Sequence, residues 1–65
     1  MTYEKALAYG KKVLHDAGIT DCGLDAWYLM EYVFKIEKSW YYLHNTQSIQ
    51  EEKFEEYQRL LKKRG

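Results

Sequence analysis

Proline is absent from this 65-residue chain, glycine occurs four times and cysteine once. Each scarcity excludes a class of structure. Without proline, and with so little glycine, nothing reads as a flexible linker or a low-complexity tract. A single cysteine, Cys22, permits no intrachain disulfide, and no secretory leader is visible. Together these lead us to expect a cytoplasmic protein. A surplus of either charge is also missing: ten basic and ten acidic residues cancel, and the pI is near 6.7. Nucleic-acid binders carry a basic excess, so nucleic acid is not an expected partner. The longest purely apolar run, Ala26 to Met30, falls far short of the roughly 20 residues that span a bilayer, so no membrane partner is expected either.

What the chain does have is apolar and aromatic mass. Apolar residues make up 46% and aromatics 17%. At this length a single domain sits near the lower limit of what folds without disulfides or metal. Large side chains offset that, since a buried aromatic removes roughly 150–250 Å² from water.

The segment Leu24 to Ile36 is the densest. Placed on a helix of 3.6 residues per turn, Ala26, Trp27, Leu29, Met30, Val33 and Phe34 cover too wide an arc for a surface helix. Glu31 and Lys35 mark a polar side, with Asp25 at its margin. Leu24, Tyr28 and Tyr32 fill the remaining arc, which either lies under another element or faces a partner. The expected architecture is all-α: a small bundle of four or five helices around a central helix at about residues 22–35.

The flanking segments read as covers for that helix. Thr2 is a candidate N-cap, with Glu4 in the first turn. Tyr3, Ala6, Leu7, Gly10, Val13, Leu14 and Ala17 then trace one helical face. Gly10 lies within that face and predicts a close helix crossing, since glycine there costs about 1 kcal/mol against alanine. Gly18 and Ile19 suit a Schellman ending. Thr20 or Asp21 caps the central helix, and Glu31 and Lys35 form an i,i+4 pair. Ser39 caps a short third helix from Trp40 to about His44. Ser48 and Glu51 form a capping box for a last helix from Ile49 to about Arg64. That helix places Phe54, Tyr57 and Leu61 inward, with Glu55 and Arg59 as a further i,i+4 pair. No segment reads as a strand.

Catalytic chemistry finds little support. His15 and His44 lack ligand-spaced companions, whereas zinc needs three or four ligands together; they read as surface histidines near helix ends. Cys22 lacks a positioned base. The glutamates from Glu51 to Glu56 spread around their helix and fit a dipole-matched first half. Lys62, Lys63 and Arg64 fit the opposite end of the same helix, and an RNA contact there is the weaker reading. No Gly-rich phosphate loop is present. Tyr28, Tyr32, Trp40, Tyr41 and Tyr42 exceed what so small a core encloses. Tyrosine and tryptophan supply rigid contact area with a polar tip, so partner contact is expected, with Tyr28, Tyr32 and Tyr41 as the candidates.

Read whole, the chain resembles the N-terminal helical domain of the HemK/PrmC family, glutamine methyltransferases that act on peptide-chain release factors. The resemblance rests on a leading helix ending in Ala17-Gly18-Ile19, then Asp21, Leu24-Asp25-Ala26 and Leu29-Met30. Phe34-Lys35-Ile36 to Ser39 and the closing Leu60-Leu61-Lys62-Lys63-Arg64 complete it. The family typically has glycine where Lys35 stands and an Arg-Arg pair where Lys63-Arg64 stands. It implies a docking domain for a class I release factor, in an enzyme that methylates the glutamine of a Gly-Gly-Gln motif. It further implies that residues 1–65 are the N-terminal part of a longer protein. The Rossmann-like catalytic domain, with its Asn-Pro-Pro-Tyr motif and its S-adenosylmethionine cofactor, would then follow Gly65. No catalytic, cofactor-binding or metal-binding residue carries over, and this segment alone is expected to be inactive. A self-contained helical adaptor or self-associating bundle, unrelated to methyl transfer, is the alternative.

Overall fold

The computed structural model describes residues 1–64; Gly65, where the linker to a catalytic domain is expected, lies outside them. Four helices follow in order: α1 (Tyr3–Asp16), α2 (Cys22–Phe34), α3 (Lys38–His44) and α4 (Glu51–Arg64). No strand occurs among the described residues. A lone antiparallel bridge joins Thr2 to Ser48.

α1 begins and ends as its residues dictate. The Thr2 hydroxyl accepts the Lys5 N–H at 3.2 Å, satisfying a donor that the first turn leaves open. At the other end Gly18 adopts φ +85. The Ile19 N–H donates to the Leu14 carbonyl and the Gly18 N–H to that of His15, the paired bonds of a Schellman ending.

α1, α2 and α4 pack against one another around Ala6, Leu14, Ala26, Met30, Tyr57 and Leu61, all fully buried. Trp27 and Val33 join them at 6% and 2% exposure, so α2 is covered from several directions. Gly10 and Tyr57 make the tightest contact. A Cβ added at Gly10 would overlap the Tyr57 hydroxyl and lie 3.3 Å from the Ala26 Cβ. That vacancy lets the tyrosine reach across and donate to the Ala26 carbonyl at 3.2 Å. Burial, and then the neighbouring Tyr41, push the Tyr57 hydroxyl far above its ordinary titration range. The close crossing expected at Gly10 is therefore a side chain seated against bare backbone.

α3 is held by rings. Tyr41 meets Trp27 edge-on at 5.2 Å, and Trp40 meets Tyr3 at 5.0 Å. Tyr3 also meets Phe34 at 5.3 Å. Such pairs contribute about 0.5–1.5 kcal/mol each beyond the area they bury.

Several local expectations differ from the structure. Lys35 forms no i,i+4 pair with Glu31, because it leaves the helix in the left-handed region at φ 54. Its N–H still bonds the Glu31 carbonyl at 2.8 Å. The lysine thus fills a C-terminal position that normally takes glycine. α2 starts after Asp21, but the Asp21 side chain makes no capping bond. Ser39 lies inside α3, whose N-cap is Glu37 in extended backbone. The turn at Lys35 uses up the chain earlier than the serine signal suggested.

Nor does Ser48 cap α4. Its backbone pairs with Thr2, and the next N–H, of Ile49, donates to the Met1 carbonyl at 2.9 Å. The extended pairing delays the helix to Glu51. Along α4, Glu55 and Arg59 do not bond; Lys53 and Glu56 approach instead at 3.9 Å, an exposed contact of little energetic weight.

Candidate functional site

α2 leaves a row of large side chains exposed on the side away from the core. Leu24, Tyr28 and Tyr32 stand four residues apart, so they align along one face. They are 50%, 58% and 67% exposed. Of the two alternatives for this arc, the structure takes the uncovered one. Leu24, four residues before Tyr28, extends the stripe of the two candidate tyrosines by one turn.

Tyr41 is placed differently. It is 8% exposed, packed edge-on against Trp27. Desolvation raises its hydroxyl above the usual value, with smaller contributions from Glu4 and Tyr42. Its neighbours Tyr42 and Leu43 point outward instead, at 71% and 79% exposed. In a helix of seven residues the apolar pattern is too short to choose which ring turns inward. Tyr28 and Tyr32 therefore share one face, and Tyr41 is not brought to it.

Arg64, expected only as a charge at a helix end, has a specific partner. Its Nε and Nη2 donate to the Asp25 Oδ2 at 3.2 and 2.9 Å. Asp25 is largely covered while Arg64 is exposed, so the pair ties the end of α4 to the first turn of α2 beside Leu24. No local spacing rule finds a pair so distant in sequence.

A cleft of about 180 Å³ opens between α1, α2 and α3. Lys11, Gly23, Trp27, Lys38, Tyr41 and Tyr42 are among the residues around it. Gly23 leaves room for the Lys11 stem, whose Cε would lie 3.7 Å from a Cβ placed there. The Trp27 indole N–H is buried and meets no acceptor in the protein.

The remaining titratable groups do not converge. Among the described residues no three potential metal ligands cluster. Cys22 is half-buried at the first position of α2. His44 pairs through Nδ1 with the Gln47 side-chain amide at 2.9 Å. His15 stands exposed in the last turn of α1. No helix among the described residues is long and apolar enough to cross a membrane. The arrangement offers contact chemistry: an aromatic stripe, a basic cleft and an anchored helix end.

No curated protein and no solved structure matches the chain. The family model of the PrmC N-terminal domain matches residues 5–65, nearly the whole length. With that match over a four-helix, all-α fold, the chain belongs to the PrmC N-terminal domain family.

Proposed function

We propose that this chain is the substrate-docking domain of a protein-(glutamine-N5) methyltransferase. In this reading it presents the outer face of α2 to a class I peptide-chain release factor. Methyl transfer from S-adenosylmethionine to the Gly-Gly-Gln glutamine takes place in a catalytic domain beyond Gly65, and the pathway served is translation termination in the cytoplasm. The observation that carries the proposal is the Leu24, Tyr28 and Tyr32 stripe, left uncovered on a helix whose other side is the core of the domain. Family membership over residues 5–65 supplies the context. A docking domain raises catalytic efficiency through binding and orientation of substrate, not through the chemical step.

The test is a chemical-shift titration of this chain with a class I release factor. We expect shifts concentrated at Leu24, Tyr28 and Tyr32, and a weaker complex for the Tyr28→Ala, Tyr32→Ala double variant. An unchanged spectrum at millimolar release factor would overturn the proposal. The same stripe also fits a second copy of the chain, as a self-associating bundle would require. Sedimentation as a tight dimer would favour that alternative over docking.

A further inference from the structure

The cleft beside Trp27 has a chemistry that the outer stripe of α2 does not share. We infer that it is a recognition slot for one acidic side chain, aspartate or glutamate, of a protein partner. Two lysines from different helices border it, Lys11 on α1 and Lys38 on α3. Neither belongs to an ion pair among the described residues, and no acidic residue lines the cleft. Glu4 acts on the Tyr41 hydroxyl, but it stands about two turns from Lys11 along α1.

Size selects the occupant. At about 180 Å³ the cleft is smaller than the roughly 300–1,000 Å³ of ordinary small-molecule sites, yet it accommodates a single side chain. Its walls are mixed. The rings of Trp27, Tyr41 and Tyr42 suit the methylenes of the acid, and the ammonium groups suit its carboxylate. The Trp27 indole N–H is buried and closed to solvent, so the carboxylate is held by the two ammonium groups while the indole ring serves as wall. Leu24 and Tyr28 follow Gly23 and Trp27 in the chain, so the slot adjoins the exposed stripe. A partner segment pairing an acidic residue with an apolar one spans both. The slot's preference for acid does not depend on which protein supplies the segment.

The experiment uses the 65-residue chain and a blocked peptide, acetyl-Ala-Glu-Leu-Glu-Ala-amide, with its Glu→Gln counterpart as control. Binding is followed through the two indole N–H resonances. The Trp27 signal is expected to shift and saturate with the glutamate peptide, while the Trp40 signal stays in place. The glutamine peptide is expected to bind at least five-fold more weakly. The K11Q/K38Q variant, whose lysines are exposed and whose fold is checked by circular dichroism, is expected to lose the difference between the peptides. Equal binding of the two peptides would overturn the inference, as would a static Trp27 signal at millimolar peptide. An unchanged preference in K11Q/K38Q would also overturn it. If acetate alone reproduces the full shift and affinity, the cleft is a small-anion site and the assignment to a protein side chain falls.

Discussion

The two sides of α2 are built from similar residues and put to opposite uses. On one side Ala26, Met30 and Val33 are sealed by α1 and α4; on the other Leu24, Tyr28 and Tyr32 lie in water. Hydrophobicity does not separate them, since leucine and tyrosine occur on both sides of the fold: Tyr57 and Leu61 are fully buried. What separates them is whether the neighbouring helices supply a matching surface. An apolar stripe left in water is the feature on which the proposed docking role rests. The inner side holds the domain together and the outer side is free to be recognised.

That division is open to direct challenge. Met30→Ala opens a cavity in the sealed side and is expected to cost about 2–5 kcal/mol, whereas Tyr32→Ala should stay within about 0.5 kcal/mol of wild type. Urea unfolding followed by circular dichroism compares them, and equal losses would erase the distinction between the faces. Next in size is Gly10→Ala. Its methyl overlaps the Tyr57 hydroxyl, and overpacking of this kind costs about 1–3 kcal/mol. Adding Tyr57→Phe removes the obstructing oxygen, so the double variant should be less damaged than the sum of the singles.

A third test uses pH. The unfolded chain releases tyrosine protons near pH 10, while burial keeps the proton on Tyr57, and to a smaller extent on Tyr41, above that value. A group whose native pKa is raised contributes its stability below the unfolded pKa and loses it as pH climbs toward the native one. The contribution of these two tyrosines should therefore be constant below pH 10 and then fall, by up to about 1.4 kcal/mol per pH unit for Tyr57. In Tyr57→Phe that slope should shrink, and a slope left unchanged would show that the hydroxyl is not sealed as described. The smallest effect is expected at the end of α2. Lys35→Gly relieves a left-handed lysine and should stabilise the fold by about 0.5–1 kcal/mol. A loss of stability there would mean that the lysine side chain does more for the fold than its backbone strain costs.

Much of this fold is legible from sequence where the signal is local or periodic. Thr2, Gly18 and Ile19 mark the ends of α1 because capping bonds span only a few residues. The wide apolar arc of α2 announces its burial. The reading fails where a distant segment competes for the same residues. Ser48 has a good capping signature, but the chain at Met1 and Thr2 takes its backbone for an extended pairing. Glu31 and Lys35 have the right spacing, but the helix ends before the lysine side chain can reach back. For the candidate site, Tyr28 and Tyr32 follow from their spacing. The burial of Tyr41, the Lys11 and Lys38 cleft and the Asp25–Arg64 clasp come from chain folding over itself, which no window of sequence contains.

The seat of Tyr57 against Gly10 also constrains how sequences of this kind can change. Three separate helices meet where that phenol tip touches the Ala26 carbonyl, and each must arrive in the correct rotational phase. Inserting or deleting one residue in α4 ahead of Tyr57 would swing the ring by about 100° and leave the niche at Gly10 vacant. A residue added in the connection before α4 leaves that phase intact, so the seat of Tyr57 tolerates changes of loop length that the helix itself does not.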